Sequence, residues 1–447
     1  MAVERLFGTN GIRGIPNDDM SPDFAMSVGK AIGTYVSGEI AFGTDTRLTG
    51  DMIKNAVIAG ILSTGISVID LGVLPTPAIQ YYSKKHGIYA VVITASHNPP
   101  QYNGIKVIDK DGTELERPGE EKIEEIFYSK AFRVVKWENI GRIRQVSDAI
   151  DIYINGVISN VDSDNIKSHA FKVLADAGNG AAYYSTPKLL EKLGCSITTL
   201  NANPDGRFTA RNAEPVPENL VNLISLMKSG RFDLGIAHDG DADRAVFIDE
   251  KGNFIDGDRM LALITKYIAK AGDVVVTPVS SSDTIADICN AIGAKLIRTK
   301  VGAPIVARAM IDNGATIGGE ENGGVIYGKH QYCRDGAMTV SLVLNLMAST
   351  NKKLSELISE LPVYYLIKKK VERRVDWPSL ARELKKGERV DETDGIKILK
   401  DDGWILIRPS GTEKILRIYA HSSDFELANK YCEQYIRKVN DIQDKLS

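Results

Sequence analysis

Cysteine is scarce in this chain: four in 447 residues, at Cys195, Cys289, Cys333 and Cys432. No two form a C-x-x-C pair, and the expectation is free thiols in a reducing cytoplasm. No apolar run approaches the length of a membrane span. The opening Met1-Ala2-Val3-Glu4-Arg5-Leu6-Phe7-Gly8 shows no basic-then-apolar leader, so no signal peptide is expected. Neither sign of charge dominates: 55 Lys and Arg stand against 58 Asp and Glu, a net charge of -3. That leaves no electrostatic case for nucleic acid or a membrane surface as the main partner. A G-x-S-x-G nucleophile elbow is also missing.

The chain is too long for one core, and its length suggests three or four domains. Forty glycines, many beside apolar runs, point to tight strand-to-helix turns. Tyr89-Ala90-Val91-Val92-Ile93 reads as a buried strand. Ahead of it, strand Ile40–Gly43 leads to the loop Thr44-Asp45-Thr46-Arg47. A helix follows from about Asp51, with Ile53, Val57 and Ile61 marking one buried face. The same strand–turn–helix grammar recurs from Phe171 and again from Asp273. After Leu361-Pro362 it changes to an α+β pattern, with strands at Gly395–Leu399, Trp404–Ile407 and Ile415–Ala420. The expected fold is α/β: three related sandwich-like α/β domains and a smaller C-terminal α+β domain, with the polar loops converging on one cleft. Expected boundaries are 1–150, 151–252, 253–362 and 363–447.

Five loops carry candidate chemistry. Thr94-Ala95-Ser96-His97-Asn98-Pro99-Pro100 follows a strand, and its prolines stop any regular structure. It leaves a hydroxyl and an imidazole on a stiff loop at a strand end, where open α/β sheets place their chemistry. The alternative is a surface turn with an incidental serine. Phe7–Gly14 is glycine-punctuated, carries Arg13, and reads as an anion nest or an ordinary turn. Asp239, Asp241 and Asp243 alternate on one loop, and three such carboxylates repel unless a cation sits between them. Oxygen-only ligands suit Mg²⁺ or another hard divalent ion. An EF-hand is rejected: Glu250 stands at its twelfth place, but Arg244 stands where glycine is needed and the flanks read as strands. A D-x-D-type phosphatase with an aspartate nucleophile is a nearer competitor, although its fifth place holds Asp243. Gly319-Glu320-Glu321-Asn322-Gly323-Gly324 offers groups suited to sugar hydroxyls. Arg408-Pro409-Ser410-Gly411-Thr412, with Arg417 one strand onward, reads as a phosphate cradle. Together these loops suit phosphoryl transfer onto a phosphorylated polyol.

Four of these loops, in this order, resemble the α-D-phosphohexomutase family over essentially the whole chain: Thr94–Pro99, Asp239–Arg244, Gly319–Gly323 and Arg408–Thr412. The resemblance implies a hexose phosphate mutase. Ser96 would be carried as a phosphoserine, and one Mg²⁺ per site would be held by Asp239, Asp241, Asp243 and a Ser96 phosphate oxygen. A hexose 1,6-bisphosphate would form, turn around and return its other phosphate to Ser96. Arg408, Ser410, Gly411 and Thr412, with Arg417, would hold the phosphate that is not reacting. Glu320 and Asn322 would read the sugar, and Arg13, Arg47 and Lys300 join the substrate-binding set. Arg244 and Lys106 would neutralise the phosphoserine, with Lys106 or His97 as general acid or base. In domain terms, 1–150 would bear the phosphoserine, 151–252 the metal, 253–362 the sugar loop and 363–447 the phosphate loop. The last domain would resemble the TATA-binding-protein fold.

The chain departs from its relatives at Asn322, where many have serine, at Gly324, where many have histidine, and at Ala303, where some have histidine. These positions fall on the loops that choose the sugar. Phe7–Gly14 and Ser410-Gly411-Thr412-Glu413 are closest to phosphoglucosamine mutases, and the Glu-Glu-Asn loop has an archaeal character. The expectation is a cytoplasmic mutase, monomeric or homodimeric, acting on glucosamine phosphate with glucose and mannose phosphates as further substrates. The alternatives are a mutase mainly for mannose or glucose phosphate, a phosphatase acting through Asp239, and a sugar-phosphate-binding protein without turnover.

Overall fold

The structure is a computed structural model that describes residues 5–8, 10–410 and 414–446. It packs as two compact units, each taken by itself below. The first takes in the chain up to Gly257 together with Asn322–Ser359; the second takes in Asp258–Glu321 and the chain from Glu360 onward. The end of the expected 253–362 segment thus packs with the segments before it. No helix among the described residues is long and apolar enough to cross a membrane.

In the first unit, β1 (Ile12–Gly14), β2 (Ile40–Thr44), β3 (Val68–Val73), β4 (Tyr89–Ile93), β5 (Asn103–Ile108) and β6 (Ile143–Gln145) form one sheet in the order β1-β5-β4-β2-β3-β6. β2, β3, β4 and β6 run parallel, while β5 is antiparallel to both β4 and β1. Neither β1 nor β5 was legible as a strand in the sequence, where their glycines read as turns. Their pairing sets Arg13 opposite Gly104 and Lys106 opposite Val92, which brings both cations to the end of β4. The central strands are apolar on both faces, as a sheet covered on both sides requires. α1 (Pro22–Tyr35) and α2 (Gly50–Ser63) cover the face of Ile40 and Phe42, with Ile53, Val57 and Ile61 fully buried as expected. α1 starts where Ser21 Oγ accepts the Phe24 N–H at 3.1 Å and Pro22 takes the first helical position. α3 (Thr76–His86) packs on the other face against β2 and β4, and α4 (Arg117–Ser129) adds Ile123 to the core under α1.

A second sheet is built from β7 (Lys172–Asp176), β8 (Ser196–Leu200), β9 (Leu234–His238), β10 (Ala245–Ile248) and β11 (Phe254–Ile255), in the order β11-β10-β9-β7-β8. α5 (Ala149–Ile158), α6 (Ser163–His169), α7 (Ala182–Lys192) and α8 (Val221–Met227) accompany it. β9 and β10 are antiparallel neighbours joined by residues 239–244. The acidic loop is thus flanked by strands, as the rejection of an EF-hand requires, and Glu250 is bonded to Ser355 instead. In the second unit, α9 (Gly257–Ile268), β12 (Val274–Pro278), α10 (Thr284–Ile292), β13 (Lys295–Thr299), α11 (Ala303–Asp312) and β14 (Ile317–Glu320) follow, with β12 parallel to both β13 and β14. The chain then returns to the first unit as β15 (Gly324–Tyr327), α12 (Gly336–Thr350) and α13 (Leu354–Ser359), and α12 lies against α5, α6 and α7.

The C-terminal residues form β16 (Tyr365–Glu372), α14 (Trp377–Leu384), β17 (Val390–Asp391), β18 (Ile396–Lys400), β19 (Gly403–Pro409), β20 (Ile415–Ser422) and α15 (Phe425–Leu446). The sheet is antiparallel throughout, in the order β16-β20-β19-β18-β17, which meets the α+β expectation. Alternation sorts its two faces. Ile405, Ile407, Leu416 and Ile418 pack on α14 and α15, whereas Trp404, Leu406 and Tyr419 face Val279 at the end of β12. His421 joins these layers. It is stacked between Tyr364 and Trp404 at 4.8 Å on each side, and its Nε2 accepts the Asp283 N–H at 3.2 Å. Trp404 Nε1 donates to Asp283 Oδ2 at 3.0 Å, and Lys397 Nζ donates to Val279 O at 2.9 Å.

Burial lowers the His421 pKa to about 4, with Asp283 pulling it up and Lys397 and Arg298 pushing it down. The unfolded chain therefore binds this proton more readily, and stability is lost as pH falls from 6.5 towards 4. The expected contribution is about 2 kcal/mol between pH 7 and pH 5. His421→Gln should cost stability at pH 7, and its gap from the parent should narrow by that amount at pH 5 in urea melts. A constant gap would remove His421 as a source of acid lability.

Candidate active site

The serine loop is set by what lies beneath it. Thr94 Oγ1 accepts the Ser96 N–H at 2.8 Å and donates to Asp45 Oδ2 at 2.6 Å. Ser96 has φ +51, a left-handed conformation that serine rarely holds without support. The support is Arg47. Its Nη1 donates to Pro99 O and Tyr102 O, both at 2.8 Å, and its Nη2 to Ser96 O at 2.9 Å and Asn98 O at 2.6 Å. The Phe208 ring lies 5.0 Å from the guanidinium, whose side chain is fully buried. This corrects the expectation that Arg47 binds substrate: its forks are filled by four backbone carbonyls, and it braces the serine loop instead.

The acidic loop turns at Ala242, which has φ +57, and this kink lets alternate residues aim their carboxylates together. Asp239, Asp241 and Asp243 are all buried, with ligand-type oxygens within 4.8 Å of one another. Ser96 Oγ donates to Asp239 Oδ2 at 2.8 Å, which joins the two loops. Asp239 Oδ1 accepts the Arg244 N–H at 3.2 Å. Asp241 Oδ2 accepts from Thr76 Oγ1 at 2.8 Å and lies 3.3 Å from Lys106 Nζ. Asp243 Oδ2 is paired with Arg334 Nη2, and Lys106 Nζ lies 3.9 Å away. Asp241 Oδ1 and Asp243 Oδ1 are buried without a hydrogen-bond partner. Three carboxylates, two of them with an unmatched buried oxygen, fit a hard divalent cation.

The charge states follow from these contacts. Burial, then repulsion by Asp243 and Asp241, pushes Asp239 well above the usual carboxylate range. Burial works the same way on Asp241, but Lys106, the Thr76 hydroxyl, Arg334 and Arg13 outweigh it and hold Asp241 low. Burial disfavours the Lys106 ammonium, yet Asp241, Glu114 and Asp243 prevail and raise its pKa. Arg244 drives His97 down to about 2, with burial, Arg13 and Arg334 adding to the effect. His97 is thus a neutral imidazole. Its Nδ1 lies 3.0 Å from Arg244 Nη2, which has only protons to offer, so the ring proton sits on Nε2. Ser96 Oγ lies 3.4 Å from that same Nδ1, and no Ser–His dyad forms. Arg13 donates from Nη1 to Asn98 Oδ1 at 3.1 Å and so leans over the serine loop.

The second unit holds the expected recognition groups. Glu320 closes β14 and is buried, and its Oε1 accepts the Gly302 N–H at 3.1 Å, tying it to the loop of exposed Lys300. Arg408 and Arg417 are direct cross-strand partners on β19 and β20, on the face away from α14 and α15. Two guanidinium groups side by side repel and favour an anion between them. Asp394 Oδ2 lies 3.2 Å from Arg408 Nε and accepts the Val301 N–H at 3.1 Å, linking this pair to the Lys300 loop. Ser410 N donates to Ile415 O at 2.9 Å across the turn. Gly411 and Thr412 lie outside the described residues. Asn322 belongs to the first unit, where its Oδ1 accepts the Gly324 N–H at 3.2 Å.

Thr76, Arg334, Glu114 and Asp394 were missed. Thr76 and Arg334 sit far along the chain from the aspartates they hold, whereas Glu114 and Asp394 lie nearer in sequence to Lys106 and Arg408 but belong to no motif. The one available signal was Arg334-Asp335-Gly336, an arginine next to a helix cap.

The sequence matches, piece by piece, the domains described for phosphoglucomutase/phosphomannomutase: α/β/α domain I over residues 4–134, domain II over 151–252, domain III over 256–365 and the C-terminal domain over 366–438. It is 45% identical to a phosphoglucomutase/phosphomannomutase of Thermococcus kodakarensis, over 98% of this chain and 99% of that one. It is 42% identical to a phosphoglucosamine/phosphogalactosamine mutase of Sulfurisphaera tokodaii, over 97% and 99%. Among solved structures, a phosphoglucomutase/phosphomannomutase family protein from Burkholderia thailandensis superposes with a TM-score of 0.88 at 25% identity, over 99% of this chain and 98% of that one.

The role of Arg47 can be read directly. Arg47→Lys keeps the charge but cannot fork to four carbonyls. It should lower kcat at least about tenfold through misplacement of Ser96, with the circular dichroism spectrum unchanged. Unchanged turnover would remove Arg47 as the brace.

Proposed function

The chain belongs to the phosphoglucomutase/phosphomannomutase family, and on that premise we propose that it is a phosphohexomutase, an isomerase that exchanges hexose 1-phosphate and hexose 6-phosphate through a phosphoserine at Ser96. The observation that carries this reading is the Ser96 hydroxyl bonded at 2.8 Å to a buried three-carboxylate cluster that has unmatched oxygens.

A free hydroxyl oxygen of the sugar phosphate attacks the phosphorus carried on Ser96, and the Oγ–P bond breaks. Ser96 Oγ keeps the electron pair and ends protonated, in net exchange for the proton lost by the sugar hydroxyl. The hexose 1,6-bisphosphate turns around, Ser96 Oγ attacks its other phosphorus and the sugar O–P bond breaks; the sugar oxygen keeps the electron pair and ends protonated, in net exchange for the proton lost by Ser96, so the phosphoserine is restored and the sugar's phosphate has moved between O1 and O6. Mg²⁺ held by Asp239, Asp241, Asp243 and a phosphate oxygen on Ser96 would offset the charge gathered at the moving phosphoryl group.

The chain's own groups do the rest. Asp239 orients the Ser96 hydroxyl for the return step. Arg13, Arg244 and Arg334 ring the loop as fixed cations. Lys106, kept as an ammonium by Asp241 and Glu114, has a proton to give, which suits a general acid better than a base. His97 is left as a neutral donor through Nε2–H. Arg408 and Arg417, with Ser410, Gly411 and Thr412, hold the phosphate that is not reacting. Glu320, Asn322 and Lys300 meet the sugar.

Glucosamine phosphate is the proposed main substrate, with glucose and mannose phosphates turned over as well. Support comes from the Phe7–Gly14 and Ser410–Glu413 segments and from the archaeal relatives, whose names span both activities. A cytoplasmic location, and a monomer or homodimer, complete the proposal.

Ser96→Ala should abolish conversion of hexose 1-phosphates, and the parent should carry one added phosphate by intact mass that survives hydroxylamine. A hydroxylamine-labile adduct would point to Asp239 as the nucleophile instead. Chelation should stop turnover and added Mg²⁺ restore it. Arg417→Met should raise KM more than tenfold. Glucosamine 6-phosphate should outpace glucose and mannose 6-phosphates side by side; the reverse ranking would overturn the substrate assignment.

A further inference from the structure

Each carboxylate of the acidic loop has one oxygen held by a group other than Ser96. Asp239 Oδ1 takes the Arg244 N–H at 3.2 Å. Asp241 Oδ2 takes the Thr76 hydroxyl at 2.8 Å. Asp243 Oδ2 takes Arg334 Nη2. What remains for a ligand is one oxygen from each: Asp239 Oδ2 beside Ser96, and the unmatched Asp241 Oδ1 and Asp243 Oδ1.

The Arg334 hold is built in from two sides. Behind it, Asp335 caps α12 by accepting the Met338 N–H at 2.9 Å, and the same carboxylate receives the Tyr153 hydroxyl and Gln331 Nε2. The Asp335 N–H in turn donates to Val325 O at 3.0 Å. In front, the arginine stem runs across Gly324, where an added Cβ would overlap Arg334 Cδ. Glycine at 324 is what leaves this path open. Thr76 is fixed as firmly, since its own N–H donates to Asp241 O at 2.9 Å while its hydroxyl holds the side chain.

One-oxygen ligation has a consequence for ion choice. Mg²⁺ takes near-ideal octahedral single-oxygen ligands, whereas Ca²⁺ reaches six to eight ligands by accepting carboxylates through both oxygens. A carboxylate with one oxygen occupied cannot supply the second. Outer hydrogen bonds of this kind orient the ligands of a metal and are felt strongly in its affinity.

We propose that Arg334 and Thr76 are metal-selectivity residues, which confine Asp243 and Asp241 to one-oxygen ligation and so favour Mg²⁺ over larger divalent cations. The inference rests on the reading of the three aspartates as the metal site. Arg334 and Thr76 act through the aspartates and are positioning residues.

The test is calorimetric titration of metal-free full-length protein with Mg²⁺ and with Ca²⁺ separately. Loss of a cation beside the site strengthens binding of both ions alike, so the ratio of the two affinities reports geometry and not charge. Arg334→Met should shift that ratio towards Ca²⁺ by about tenfold. Gly324→Ala, which displaces the stem while keeping the charge, should shift it the same way. Thr76→Val should shift it less, because Lys106 still faces Asp241 Oδ2 at 3.3 Å. Arg334→Lys should restore most of the parent ratio. Thermal melts identify variants that remain folded, and Gly324→Ala and Thr76→Val carry the test if Arg334→Met does not fold. Folded variants that keep the parent ratio would overturn the inference while leaving the metal site intact. A parent protein that binds neither ion would overturn the metal-site reading itself.

Discussion

Three buried carboxylates within 4.8 Å of one another are the constraint on which the first unit depends. Bare, they would repel and drive protons onto one another, as the raised Asp239 shows. The fold answers with cations drawn from separate parts of the chain: Arg13 from β1, Lys106 from β5, Arg244 from the acidic loop itself and Arg334 from the approach to α12. With Glu114 counted among the acids, four buried anions face four cations. A phosphoserine adds close to two negative charges, and a divalent ion adds two positive ones. The loaded site is therefore as close to neutral as the empty cluster of side chains. On the proposed function, loading Ser96 and binding the ion would be coupled by charge: either alone would leave an imbalance in a low-dielectric place, and both together would not.

The same constraint explains the strain at the serine. Ser96 Oγ meets Asp239, which is held by a different sheet, so its loop has to turn sharply just past β4. Ser96 adopts φ +51 to do so, at a cost of about 1–3 kcal/mol. The four carbonyl bonds from Arg47 offset it, with Asp45 holding both Thr94 and the arginine's own backbone. Rigidity here serves chemistry, because phosphoryl transfer gains mostly from positioning and little from covalent participation by the protein.

The sequence was legible where function is written in contiguous loops. Ser96 with its prolines, the alternating aspartates and the Arg408 turn each announce a chemistry within six residues. The parallel strands were legible because burial on both faces makes them continuous apolar runs. What could not be read was pairing across the chain. β1 was missed because its glycine looks like a turn residue, and β5 because Gly104, where an added Cβ would overlap the Ile12 and Thr94 carbonyl oxygens, breaks its apolar run. Arg47 was misassigned because an arginine beside an acidic residue reads the same whether its fork meets a phosphate or four carbonyls. Thr76 gives no local signal and Arg334 only its place beside a helix cap, since each reaches its aspartate only through the fold.

The two units divide the work by the kind of cation they offer. In the first, Lys106, Arg244 and Arg334 are paired to carboxylates of the acidic loop, so their field is spent within the cluster. In the second, strand register places Arg408 and Arg417 side by side, and Asp394 Oδ2 lies 3.2 Å from Arg408 Nε. A guanidinium fork reads a phosphate group and ignores what the phosphate is attached to. Such a site can hold O1-linked and O6-linked phosphate equally well, which is what an intermediate that turns around demands. Within the same unit the loop of Glu320 and Lys300 is tied to the arginine pair through Asp394, so on the proposed function the groups that would choose the ion differ from those that would choose the phosphate and the sugar.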